Sequence, residues 1–226
     1  MSHLLSKSKY IRGLQCDRAL WLDVFNPRLA RYTREQMRRF DRGRAFEYTF
    51  KATFPHGIDI SMELTRNIDA YPIRTAELLD KDEEADLFEA GFLYDDVLVL
   101  ADVVHRNADG TLNVYEVKSG TTLSETYKRD AALQHYVISH CRRVSSFNVV
   151  YNRGESSEGQ DDAFAIVDLT EELAARHPEI ERNIVAMKEV LRQGEPDTPT
   201  GQHCLEPYSC PYQAYCQSGI RQLSLF

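Results

Sequence analysis

The order of helix and strand signals along these 226 residues predicts a single domain of the α/β or α+β class. Three observations carry that expectation. From Asp86 the hydrophobic period falls towards two, with β-rich runs at 97–106 (VLVLADVVHR) and 112–119 (LNVYEVKS). Helix-length amphipathic segments lie on either side of those runs. No apolar stretch approaches the roughly 18 residues a membrane span needs, so no membrane partner is expected.

Taken in order, residues 1–27 read as a short helix stopped at Asn26-Pro27, and Thr33 can cap a helix running to about Phe54, before Pro55. A strand is expected near Ile58–Leu64 and a helix around Ile73–Leu79. The two β-rich runs are joined by Asn107-Ala108-Asp109-Gly110, a good turn sequence. A helix over about Ser124–Cys141 follows, then strands at Ser146–Tyr151 and Ala163–Leu169. The last helix spans Glu171–Arg192, with Pro178 as its weak point. The start, MSHLLSKSKYIRG, lacks the apolar core of a secretory signal, so the expected location is cytoplasmic.

The chain carries 27 basic and 35 acidic residues, a net charge of −8. That balance argues at first sight against a nucleic-acid partner. It is not evenly spread. Residues 28–51 hold eight basic side chains and three acidic ones, a local +5 that leaves −13 for the remainder. Arg31, Arg34, Arg38 and Arg42 recur at three and four residues and would share one helix face that could follow a phosphate backbone.

Three of the five cysteines (Cys204, Cys210 and Cys216) stand in CLEPYSCPYQAYC, and Cys16 stands alone near the N-terminus. An odd count in a reducing compartment disfavours a disulfide framework. Four thiolates can hold zinc or an iron–sulfur cluster, although the paired short spacings usual for structural zinc are absent. The lesser alternative is four small buried hydrophobes. Cys141 reads as a packing residue.

On a strand, Glu116 and Lys118 share a face. With Asn107–Gly110 as the loop, Arg106 faces Thr111, and Asp102 lies opposite Tyr115 or Glu116, about 5–8 Å from the glutamate. A charged pair on one strand face is usually only the solvated side of a sheet. Asp102, however, sits between VLVLA and VV, a setting that reads as buried. Facing carboxylates repel unless a cation intervenes, and oxygen ligands of this kind suit Mg²⁺ or Mn²⁺.

Asp102, thirteen residues, then Glu116-Val117-Lys118 resembles the signature of the PD-(D/E)XK nucleases, and in particular the RecB-like iron–sulfur branch related to the CRISPR-associated and AddB nuclease domains. SKSKYIRGLQCDRALWL and the C-terminal trio are similar to that group's cluster segments. The resemblance implies a restriction-endonuclease-like core (αβββαβ) over residues 1–216, with the two chain ends joined at a 4Fe–4S cluster held by Cys16, Cys204, Cys210 and Cys216. It implies Glu47, Asp102, Glu116 and the carbonyl of Val117 as metal ligands. Lys118 would position the attacking water, with Gln134 and Tyr136 close to the substrate. Those last two stand two residues apart where the family's spacing is commonly four. Residues 217–226 read as a tail, and Gln222-Leu223-Ser224-Leu225-Phe226 resembles the short motif that binds the bacterial sliding clamp. The expected activity is therefore Mg²⁺- or Mn²⁺-dependent cleavage of DNA at the nucleoid, exonucleolytic rather than endonucleolytic. The competing expectation is a non-catalytic iron–sulfur or zinc nucleic-acid-binding module.

Overall fold

The structure, a computed structural model, describes residues 5–64, 67–81, 83–154 and 163–218. The five residues expected to bind a clamp, 222–226, lie outside them. The chain divides into two compact units. One consists of Arg38–His177 and the segment ending at Lys7; the other consists of Ser8–Met37 and the segment beginning at Pro178.

The first unit is α/β, with a mixed seven-stranded sheet flanked by helices. Its strands are β1 (Leu5–Ser6), β2 (Ile58–Asp59), β3 (Ala85–Tyr94), β4 (Val97–Arg106), β5 (Leu112–Lys118), β6 (Val144–Asn152) and β7 (Phe164–Asp168). They run in the order β2-β3-β4-β5-β6-β7, and β1 pairs with β4. The β3–β4 and β4–β5 connections are antiparallel hairpins, while β5 and β6 are parallel and joined by α6 (Glu125–Cys141). A parallel pair needs such a crossover.

The first hairpin closes on Asp95-Asp96, both at positive φ (49° and 58°), as a two-residue turn of the primed type requires. The second is one residue longer than the sequence suggests. Arg106 pairs with Leu112 rather than Thr111, because the Asn107 N–H bonds to the Thr111 carbonyl and Asp109 Oδ1 accepts from the Thr111 N–H. That one-residue change sets the register of everything beyond it.

Helix α3 (Arg34–Lys51) begins with a reciprocal cap, Thr33 Oγ1 accepting from the Gln36 N–H and Gln36 Oε1 accepting from the Thr33 N–H. Phe50, near the end of α3, packs with Phe88, Val103, Val117 and Val150. The strand expected over 58–64 shrinks to β2, because Asp59 caps α4 (Ile60–Glu63) through the Ser61 N–H. Helix α5 (Tyr71–Leu79) lies so close to β3 that a Cβ at Gly91 would stand 2.5 Å from that of Tyr71, which demands glycine there.

The second unit is helical. The single helix expected over 1–27 is two, because Cys16 adopts an extended conformation (φ −169°) between α1 (Lys7–Gln15) and α2 (Asp17–Phe25). The helix expected over 171–192 also divides. A short α7 (Thr170–Ala174), which belongs to the first unit, precedes α8 (His177–Arg192), with Pro178 in the first turn, where its missing N–H costs nothing. The last helix is α9 (Gln213–Gln217). Ala19, Trp21, Leu22, Tyr212 and Tyr215 form this unit's apolar cluster. Gln15 Nε2 ties α1 to the cysteine-rich segment through the carbonyls of His203, Glu206 and Tyr208 at 2.7–3.1 Å.

Candidate metal centre

The β4–β5 register pairs Val103 with Tyr115, and one step further along it Asp102 stands opposite Glu116. The ladder is not continued there. Asp102 Oδ2 itself accepts the Val117 N–H at 2.7 Å, so a carboxylate takes a donor that a strand carbonyl would otherwise take. Both acids are closed off from water, with relative exposures of 8% for Asp102 and 1% for Glu116. Burial and the neighbouring Glu116 charge push the Asp102 carboxyl well above its ordinary range.

Glu116 behaves in the opposite way. Its Oε1 is reached by Lys118 Nζ at 2.5 Å and Lys7 Nζ at 2.9 Å, and its Oε2 accepts from Gln134 Nε2 at 2.6 Å. Burial alone would raise its pKa, but the Lys118 and Lys7 ammoniums overturn that and hold it well below the carboxylate range. Lys118 also pairs with Asp130 on α6. Gln134 is fully buried, and its Oε1 has no hydrogen-bond partner among the described residues. A buried acceptor without a donor is uncommon enough to need a reason.

On the other side of Asp102, carboxylate oxygens of Glu47, Glu89 and Asp102 lie within 4.8 Å of one another. Lys51 Nζ bridges Glu47 and Glu89 at 2.5 and 2.6 Å. Glu89 holds φ at +54° within β3, a conformation a long side chain seldom adopts. Glu116 is not a member of this trio.

Four participants were not anticipated from the sequence: Glu89, Lys51, Lys7 and Asp130. Helical spacing could have pointed to two of them, because Lys51 follows Glu47 by four residues and Asp130 precedes Gln134 by four. The Asp95-Asp96 turn sets Glu89 opposite Asp102 and would have served for the third. Nothing local marks Lys7.

Of the other sequence candidates, Tyr136 falls elsewhere and Val117 meets the site through its backbone N–H. Tyr136, two residues from Gln134, sits among the rings of Tyr94, His140 and His177 at centroid distances of 4.6–5.7 Å. The Val117 side chain packs in the Phe50 cluster. Arg34, Arg38 and Arg42 are exposed on α3, whereas Arg31 precedes the helix and donates to the carbonyls of Arg28 and Ala30.

In the second unit Cys16, Cys210 and Cys216 pack against the Trp21–Tyr212 cluster, and Cys204 is buried. The Cys210 N–H donates to the Cys204 carbonyl at 2.8 Å. Cys16 stands at the N-terminal end of α2, where burial raises its thiol while the N–H groups of Ala19 and Arg18 favour the thiolate. Burial likewise raises Cys210 and Cys216, against the Tyr212 N–H and Arg12 at the first and Arg18 at the second.

No family model matches this chain, and no curated protein matches it. Among solved structures, one titled "Crystal structure of SSO0001" is similar over 96% of this chain and 87% of that chain, with 11% identity and a TM-score of 0.46. Among the described residues no helix is long and apolar enough to cross a membrane.

Proposed function

We propose that this protein is a divalent-metal-dependent nuclease that hydrolyses phosphodiester bonds in DNA, built on a restriction-endonuclease-like core. One observation carries the reading: Asp102 and Glu116, buried on neighbouring strands, meet Lys118, Gln134 and the Glu47–Glu89 pair in one place. Fully ionised, Glu47, Glu89, Asp102, Glu116 and Asp130 against Lys7, Lys51 and Lys118 leave a charge of −2, which one divalent cation cancels. All-oxygen donors suit Mg²⁺ or Mn²⁺. Glu47, Glu89 and Asp102 would hold the ion, with Glu116 and the Val117 carbonyl as the further ligands the resemblance implies. When bound, the ion polarises a phosphoryl oxygen and lowers the pKa of a coordinated water.

The side chains do the rest. Lys118 offsets negative charge developing on the phosphate and positions the attacking water. The unfilled Gln134 Oε1 accepts a hydrogen from that water. A bond forms from the water oxygen to phosphorus and the ester P–O bond breaks. The products are a phosphomonoester and a hydroxyl: the attacking water gives up a proton to solvent, and solvent supplies the proton that the leaving oxygen takes up. Exposed Arg34, Arg38 and Arg42 follow the DNA backbone. Cys16, Cys204, Cys210 and Cys216 would hold a 4Fe–4S cluster joining the two chain ends, for which four thiols in one unit with backbone N–H donors form a fitting set. The QLSLF sequence supports recruitment by a sliding clamp, which would raise the local concentration of nuclease on DNA.

The test is cleavage of end-labelled single-stranded, duplex and flapped DNA by anaerobically prepared protein with Mn²⁺, with and without clamp. Wild type should cleave and Lys118→Ala should bind DNA without cleaving. A wild type that binds DNA and cleaves no substrate would establish the non-catalytic module instead.

A further inference from the structure

Glu116 gathers two ammoniums on one oxygen, one of them shared with Asp130. Lys118 and Gln134 already fill both of its oxygens, at 2.5 and 2.6 Å. Lys7 nevertheless brings a second ammonium to the Oε1 that Lys118 holds, at 2.9 Å. Two ammoniums on one oxygen repel each other, and drawing a second lysine out of water is costly. The chain positions it all the same. Leu5, fully buried, and Ser6 form β1, register against Val97 and Leu98 of β4, and deliver Lys7 to the site across 109 residues of sequence.

The two partners differ in access. Glu116 is 1% exposed and its carboxylate is enclosed, whereas the Lys7 side chain keeps 27% of its surface open to solvent. A lysine whose side chain is partly open to solvent and whose ammonium rests on a closed carboxylate can exchange one anion for another. A divalent cation that takes Glu116 displaces the weaker point charge, and a phosphate diester approaching from solvent supplies the replacement anion.

Resting on the nuclease reading above, we infer that Lys7 is a second active-site lysine, whose ammonium occupies Glu116 while no divalent cation is bound and turns to an oxygen of the substrate phosphate once the cation takes Glu116. Lys118 stays where it is, held by Asp130 as well as Glu116. Among the described residues Lys7 pairs directly with Glu116 alone, so it is the one of the two that can change partner without breaking a second ion pair.

The competition is read by calorimetric titration with Mn²⁺ alone, which needs no cleavage. Lys7→Gln should bind Mn²⁺ about tenfold more tightly than wild type, the effect of removing one competing charge, and Lys7→Arg should restore the wild-type affinity. At saturating Mn²⁺, turnover of Lys7→Gln on single-stranded DNA should fall about 10²-fold, the scale of losing one charge-stabilising donor. Should the variants fold poorly, residue-resolved labelling of wild type with an amine-reactive reagent serves instead. Lys7 should be protected without metal, reactive with Mn²⁺, and protected again with Mn²⁺ and a non-cleavable phosphorothioate strand. A Lys7→Gln protein with unchanged affinity and turnover, or labelling of Lys7 indifferent to Mn²⁺, overturns the assignment and leaves the nuclease reading intact. A wild type that cleaves nothing overturns that reading and the phosphate role together.

Discussion

The two units solve the burial of ionisable groups in opposite ways. In the sheet unit, buried and half-buried carboxylates are matched by ammoniums: Lys118 and Lys7 on Glu116, and Lys51 across Glu47 and Glu89. In the helical unit, burial is the largest influence on Cys16, Cys210 and Cys216 and drives each thiol towards its neutral form. The first arrangement is charged and waiting for a small change in charge. In the second, burial holds Cys16, Cys210 and Cys216 towards neutral thiols until a metal displaces their protons. A metal ion should therefore tune the sheet unit and, if a cluster is present, build much of the helical one.

The most direct way to break this contrast is Lys118→Ala. It removes the ammonium shared by Glu116 and Asp130, and Mn²⁺-dependent cleavage should drop about 10³-fold while DNA binding measured by anisotropy persists. Equal loss of binding would show that the lysine holds the unit together rather than serving chemistry.

Next in size is Cys210→Ser. The broad visible absorbance of an anaerobic preparation should disappear, and hydrogen exchange in the 178–218 segment should accelerate by orders of magnitude, because bound metal is folding free energy. Strands β3–β6 should keep their protection. Uniform loss in both units, or a colourless wild type containing zinc, would erase the distinction drawn here.

The sheet unit also holds a close pair of imidazoles, His135 and His177. His135 is 4% exposed, with Nδ1 2.8 Å from Nε2 of His177. Burial, and then His177 and His140, lower its pKa from 6.5 to about 4. The unfolded chain takes up a proton below about pH 6.5 that the folded chain refuses until about pH 4. This contribution is therefore fully present above the first value and is lost on descending to the second, by about 3 kcal/mol. Urea melts at about pH 7 and about pH 4.5 measure it, and His135→Gln should remove most of the difference.

The smallest effect has an unusual sign. Asp102→Asn relieves a buried carboxyl that burial and Glu116 both oppose, so the metal-free protein should gain about 1 kcal/mol while Mn²⁺ binding is lost. The raised Asp102 pKa also means that wild-type Mn²⁺ affinity should fall as pH is lowered, since a proton must leave before the ion can bind. A destabilised Asp102→Asn would mean that its bond to the Val117 N–H outweighs the relief.

Much of this was legible locally. The period-two pattern marked β4 and β5 and put Glu116 and Lys118 on one face, and the cap at Thr33 marked the start of a helix. The failures are local conflicts resolved by a single side chain. Asp59 turned an expected strand into a helix cap, Cys16 divided one helix into two, and Asp109 lengthened a hairpin loop by one residue. Gln134 reached the site and Tyr136 went to an aromatic cluster, because two residues on a helix are about 200° apart.

Sequence periodicity thus dictated which segments become strands and helices and which carboxylates share a face, because those depend on neighbours a few residues away. It could not say which cation each carboxylate would meet. Lys7 and Glu116 are joined only by the pairing of a two-residue strand with β4, and Glu89 meets Asp102 only through a hairpin register set at Asp95-Asp96. Charge compensation acts over a few ångströms, whichever residues the fold brings within that range, and so it was left to the tertiary structure to decide.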